Sequence, residues 1–195
     1  MNVQPLTIGH ARRIAEIHAQ ALAGDFLPSL GVPFLTELYR AILGLRLGFG
    51  FVTGVDDWIT GFVIASEDTS TLFRKVMLRR AVPLGLHMLP AVVRRPTLLR
   101  NIIETFTYPE QEGAVPIPAE LVVIAVDASR RSHGEGAQLC AALDAEFRRR
   151  GITCYKVTVN QGNEGANRFY TRHGFELAYS FTLYKRSWNL YTRAV

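Results

Sequence analysis

Val126-Asp127-Ala128-Ser129-Arg130-Arg131-Ser132-His133-Gly134-Glu135-Gly136-Ala137 joins two segments with different periodicities. Before it, Leu121-Val122-Val123-Ile124-Ala125-Val126 is an unbroken apolar run, the pattern of a strand buried on both faces. After it, Leu139, Cys140, Leu143 and Phe147 recur on one side of a helix over residues 134–150. Arg148, Arg149 and Arg150 suit the negative end of that helix, and Gly151 is a natural stop. The link therefore runs from the end of a buried strand into a helix N-terminus. The first amides of a helix lack internal partners and carry partial positive charge, so an anion is bound there by backbone. Gly134 and Gly136 bring no side chain to hold a pyrophosphate away, and Arg130 and Arg131 add charge. A tight turn would use the same glycines. No Gly-Lys pair occurs, which excludes a Walker loop. Leu139 stands where a dinucleotide fingerprint needs its third glycine.

Downstream, the pattern predicts a strand over 153–159, a helix over 163–173 ending at Gly174, and strands over 175–179 and 181–186. Upstream, residues 2–6 read as an edge strand and Thr7 as an N-cap. A helix follows, with Ile8, Ala11, Ile14, Ala15, His18 and Leu22 at helical spacing. Pro33 opens a second helix, whose apolar face carries Phe34, Leu35, Leu38, Tyr39, Ile42 and Leu43. Strands over 49–54 and 58–66 flank a turn at Val55-Asp56-Asp57. Residues 70–108 form a basic helical insert, which Pro83, Pro90 and Pro96 are expected to cut into short pieces. A loop rich in Pro and Gly covers residues 108–118. The order β-α-α-β-β-insert-β-α-β-α-β-β implies an α/β protein of the α+β type, with one mixed sheet and helices on both faces. One domain over residues 1–195 is expected.

Arg131-x-x-Gly134-x-Gly136-Ala137 resembles the CoA-binding signature of the GNAT N-acetyltransferase superfamily. Asn163-x-x-Ala166-x-x-Phe169-Tyr170-x-x-x-Gly174-Phe175 is similar to that family's second block, in the same order and at the usual separation. The resemblance implies a mostly antiparallel sheet of about seven strands, splayed between strands 121–126 and 153–159 to admit CoA. It implies that the backbone of Ile124, Ala125 and Val126 bonds the pantetheine arm. Arg131 and the amides of Ser132, His133, Gly134, Glu135, Gly136 and Ala137 would hold the pyrophosphate, and Asn163 and Tyr170 would also reach the cofactor. Two departures stand out: the insert is long, and Asp127-Ala128-Ser129 lacks the proline common after that strand.

The implied chemistry is acetyl transfer from acetyl-CoA to a primary amine, direct and within a ternary complex. An alkyl amine has a pKa of about 10.4, so a base must free its lone pair. Glu120 sits where some GNAT enzymes place a glutamate base, acting directly or through water; the alternative is a structural residue at a strand start. Glu67 and Asp68 are weaker candidates. Tyr170 matches the family's general-acid tyrosine, with packing as its alternative role. A backbone amide near Val126 would take the oxyanion. No Gly-x-Ser-x-Gly elbow exists for a serine-acyl route. Rival readings are a non-catalytic acyl-CoA sensor and an acyltransferase using a longer acyl-CoA.

The 195 residues are 48% hydrophobic and 20% charged, an ordinary globular balance. A formal charge of +5 suits phosphates, nucleic acid or anionic lipid, or serves solubility alone. No nucleic-acid module motif accompanies it, so no nucleic-acid partner is expected. The histidines show no metal spacing, and no metal is expected. Cys140 and Cys154 read as small buried thiols. Met1 to Pro5 lacks a basic start and an apolar run, so no secretory signal is read there and the cytosol is expected. The apolar stretch 81–93 reads as too short to span a bilayer, and peripheral contact is left open. The segment from Asp25 to Tyr39 and the insert resemble a GNAT subgroup of bacterial polysaccharide biosynthesis. That suggests a small-molecule acceptor, an amino sugar, for a monomer or homodimer. The insert could cover the site, lie on an anionic membrane, or be a solvated face.

Overall fold

Strand pairing is what opens the site. The computed structural model describes residues 2–55, 58–98 and 116–195. Its strands are β1 (Asn2–Pro5), β2 (Phe49–Val55), β3 (Trp58–Ser66), β4 (Glu120–Val126), β5 (Cys154–Asn160), β6 (Glu176–Leu183) and β7 (Arg186–Ala194). They form one seven-stranded sheet in the order β1-β2-β3-β4-β5-β7-β6. Every pairing is antiparallel except β4 with β5. Those two strands pair at Glu120↔Lys156 and then diverge. The edge of β4 facing β5 is thus open beyond its first residue. Ile64 stands opposite Val123 and Ala65 opposite Leu121, so Val122 is the extra residue of a bulge in β4.

Helices α1 (Ala11–Ala21), α2 (Phe26–Ser29), α3 (Val32–Gly44) and α4 (Thr69–Arg94) come before β4. Helices α5 (Glu135–Arg149) and α6 (Glu164–Arg172) come after it. The period-two alternation of β3 sorts the core into two layers. Phe62 and Ile64 pack with Ile14, Leu35 and Tyr39 of α1 and α3. Val63 and Ala65 pack with Leu139, Leu143 and Phe147 of α5. A stacked pair, Phe147 and Tyr155 at 4.5 Å between centroids, centres the second layer. Cys140 lies in it, and burial pushes its thiol up to about 12, while Cys154 is half-buried.

Two expectations need correction. The insert is cut less than expected: α4 spans Thr69 to Arg94 with Pro83 and Pro90 inside, as two helical pieces joined across one kink. The proline effect survives as a kink at Arg80 (φ −131°, ψ 17°), three residues before Pro83, where the ring would crowd the preceding turn. This helix is also long and apolar enough by length and composition to cross a membrane, unlike the shorter stretch 81–93. The last hairpin turns later than expected. Its turn is Tyr184-Lys185, both at positive φ (53° and 58°), as in a type I′ turn, and the strands extend to Leu183 and Ala194. Neither residue is the Asn or Gly that usually marks such a turn. Residues 56–57 of the first hairpin turn and 99–115 of the insert and loop lie outside the described residues.

Candidate active site

The splay leaves a cleft of about 870 Å³ that runs from the phosphate loop, past β4, to the loop after α1. All of β4 lines it, as do Val157 to Asn160 of β5. Of the cofactor residues read from sequence, all but His133 line it. The His133 ring turns onto its own loop instead, with Nδ1 2.8 Å from the Arg131 carbonyl.

The two glycines do different work. Gly134 is the N-cap of α5 at φ 82°, a conformation that L side chains resist. At Gly136 a Cβ would stand 3.2 Å from Phe169 Cε2, so this glycine lets α5 and α6 approach. Sequence reasoning gave it only a ligand-clearing role.

Glu135 turns inward. Its side chain is fully buried and accepts from Thr53 Oγ1 (3.0 Å), Thr60 Oγ1 (2.7 Å) and Arg130 Nε (3.0 Å). A Cβ at Gly61 would sit 2.7 Å from Thr53 Oγ1 and 3.3 Å from Glu135 Oε2, so that glycine makes room for the hydroxyl and the carboxylate it serves. Only the Glu135 amide is left to face a ligand. The carboxylate anchors the loop to the β2–β3 hairpin. Arg13 adds a second anchor, donating to Asp127 Oδ2 at 3.2 Å. Arg131 reaches across the cleft end to the carbonyls of Val126 (3.4 Å) and Ala21 (3.3 Å).

Asn163 caps α6, its Oδ1 accepting from the Ala166 amide at 3.1 Å. Its Nδ2 is the atom left to reach a ligand. Helix α6 is fixed by Asn167, whose Oδ1 accepts from Asn189 Nδ2 (2.9 Å) and Tyr191 Oη (3.0 Å). That fastening places Tyr170, which is buried against Phe175 and Tyr191 and lines the cleft. Burial, with Cys140 beside it, raises the Tyr170 pKa and keeps the phenol protonated.

Glu120 lies at the closed end of the splay and is 5% exposed. Burial raises its pKa to about 7, with the Thr158 hydroxyl pulling the other way. Neither Glu120 Oε2 nor Thr69 Oγ1 completes a hydrogen bond, although both are buried. Tyr179 Oη is a third such atom, and the Glu120 charge adds to the burial that raises its pKa. Buried polar atoms are ordinarily paired, so this cluster suits a polar substrate group or water. Glu67 is exposed and bound to Arg150, and Asp68 caps α4 through the Thr71 amide at 3.0 Å. Neither lines the cleft.

Sequence reasoning singled out the stretch from Asp25 to Tyr39 but missed the half of the far wall that the last hairpin supplies. Phe26, Tyr184 and Trp188 form a chain of rings, with centroids 5.3 Å and 6.3 Å apart. Asp25 sits beside them, 3.8 Å from Arg186, and burial raises its pKa. The rings come from segments 158 residues or more apart in sequence, and no local pattern joins them. His18 also lines the cleft, 2.5 Å from Tyr39 Oη, and burial lowers its pKa to about 4. No group of three metal-binding side chains occurs among the described residues.

Residues 103–175 match the family model for the acetyltransferase (GNAT) family. Over that segment the chain is similar to the GNAT acetyltransferases. Solved structures agree over nearly the whole chain. A ribosomal-protein-alanine N-acetyltransferase from Brucella melitensis is similar at a TM-score of 0.64 and 11% identity, covering 100% of both chains. The ribosomal-protein-S18-alanine N-acetyltransferase of Escherichia coli gives 0.61 and 16%, covering 100% of this chain and 93% of its own. A Salmonella typhimurium protein solved with acetyl-CoA gives 0.62 and 13%, with 100% and 93% covered. No curated protein matches the sequence. At these identities the likeness is one of fold. The GNAT fold explains the splay, and the open β4 edge and α5 N-terminus fit a CoA ester.

Proposed function

We propose that this protein transfers acetyl from acetyl-CoA to the primary amine of a small molecule, with Glu120 as base and Tyr170 as hydrogen-bond donor to the leaving sulfur. The observation that carries this reading is the Glu120 carboxyl, buried on the cleft with its pKa raised to about 7. Such a carboxyl is half ionised near neutral pH and basic enough to draw a proton from a bound ammonium, directly or through one water. Acetyl-CoA supplies an activated thioester carbonyl. Amides on the open edge of β4 are the donors for the developing oxyanion. Tyr170 stays protonated and donates to the departing thiolate.

The acceptor we propose is an amino sugar. A run of aromatic faces beside a half-buried carboxylate suits a sugar ring and its ammonium, and Phe26, Tyr184, Trp188 and Asp25 supply both. We place the reaction in the cytosol. The test is a screen of amines with acetyl-CoA, amino-sugar nucleotides first, following CoA release and the acetyl mass increment. Amine-dependent release with acetylated product is expected. Saturable acetyl-CoA binding without turnover on any amine would favour a non-catalytic sensor instead. Turnover only with longer acyl-CoA would move the reading to another acyltransferase.

A further inference from the structure

Helix α4 presents apolar side chains on two opposite faces. Leu72, Val76 and Leu84 are buried in the layer with α1 and α3. Leu78 (78% exposed), Val82 (75%), Leu86, Leu89 and Val93 (70%) face outward. Val82, Leu86, Leu89 and Val93, all beyond the kink, fall within about 60° of arc at 3.6 residues per turn. The outward stripe serves no packing among the described residues. Single exposed apolar residues are ordinary, but an aligned row of four, with Leu78 exposed one turn earlier, marks an interaction surface.

Charge says which kind. No Asp or Glu occurs between Asp68 and Glu104. Arg74, Lys75, Arg79, Arg80, Arg94 and Arg95 are exposed on α4 and at its end. Of these, Arg80 alone has an acidic partner among the described residues, Glu37 at 3.9 Å. We propose that α4 lies in the plane of an anionic membrane surface, its outward stripe below the headgroups and its cations among the phosphates. An apolar stripe with a purely basic flank is the signature of an interfacial helix. Each cation near such a surface contributes about 1 kcal/mol.

The same features exclude two other occupants. A second copy docking α4 on α4 about a two-fold axis would set these cations against each other with no acid on the helix to offset them. Full insertion would strip Leu72, Val76 and Leu84 from α3 and bury Arg74, Lys75, Arg79 and Arg80 in hydrocarbon. In-plane docking keeps the inner face packed and lets the long basic stems reach the headgroups. The inference is independent of the acetyl-transfer reading.

The test is flotation with phosphatidylcholine vesicles, with and without phosphatidylglycerol. It compares the wild-type chain with a Leu78→Glu, Val82→Glu, Leu86→Glu variant. These side chains are exposed and lie outside the cleft, so circular dichroism and acetyl-CoA binding should match the wild type. The wild type is expected to float with anionic vesicles, weakly or not at all with neutral ones, and to be released by salt. The variant should bind at least about tenfold more weakly, a loss of about 1.4 kcal/mol. A second variant, Arg79→Gln with Arg94→Gln, should lose anionic binding while keeping the stripe. Failure of the wild type to float overturns the proposal. So does equal binding to both vesicles, or a wild-type dimer in sedimentation that the stripe variant dissolves.

Discussion

Glu120 stands opposite Lys156 at the one position where β4 and β5 pair, so the buried carboxyl sits at the hinge of the splay. Both residues are buried, and burial pushes them toward neutrality: Glu120 up to about 7 and Lys156 down to about 8. The sheet closes beside the acid and opens along β4 above it. That position lets one carboxyl be both enclosed and adjacent to the cleft.

Glu120→Gln is expected to lower kcat/KM by roughly 10²- to 10⁴-fold. In the wild type the rate should fall below pH 7, where Glu120 is protonated, and the variant should lose that limb. A pH–rate profile of both proteins, with an amine that shows turnover, is the check. An unchanged acid limb in the variant would place the base elsewhere.

The same carboxyl should cost stability as pH rises. Its folded pKa of about 7 exceeds its ordinary value of 4.5. The folded state therefore holds the proton more tightly, and this stabilising contribution is complete below pH 4.5 and lost as pH rises through 7. Between those limits the wild type should lose about 3 kcal/mol relative to Glu120→Gln. Denaturant melts of both at acid and alkaline pH measure the change in the gap. A gap independent of pH would mean that Glu120 is not held near neutrality.

Tyr170→Phe removes a hydroxyl that the core does not use and keeps the ring against Phe175. It should leave acetyl-CoA affinity and stability nearly unchanged and lower kcat about 10²-fold. Equal kcat in the two proteins would reduce Tyr170 to packing.

Glu135→Ala tests the anchoring of the phosphate loop. It would strand the Thr53 and Thr60 hydroxyls and the Arg130 guanidinium, at a cost of about 3 kcal/mol. It should also weaken acetyl-CoA binding, although no carboxylate oxygen is free to face the ligand. Glu135→Gln, which keeps acceptor capacity, should recover part of both. Affinity that does not track stability across the pair would contradict an anchoring role.

The site was unevenly legible in the sequence. The phosphate loop could be read because a strand, a glycine pair and a helix start are contiguous there, and Asn163, Tyr170 and Gly174 keep a fixed helical spacing. The inward turn of Glu135 could not, since Thr53 and Thr60 are brought to it by strand pairing. Gly136 was assigned to the ligand, whereas Phe169 of another helix also demands it. The aromatic wall of Phe26, Tyr184 and Trp188 depends on where the last hairpin turns, and Tyr184-Lys185 carries no turn residue. Helix α4 was misread in part, because each proline was taken as a break. Pro83 does interrupt the helical path, at the kink at Arg80, whereas Pro90 is absorbed.

The most direct measurement is a calorimetric titration of acetyl-CoA into the wild type and into a Gly134→Glu, Gly136→Glu variant. The account predicts saturable, roughly micromolar binding to the wild type, near −8 kcal/mol, and none to the variant, whose carboxylates occupy the anion site. A wild-type protein that is folded by circular dichroism yet binds no acetyl-CoA would contradict it.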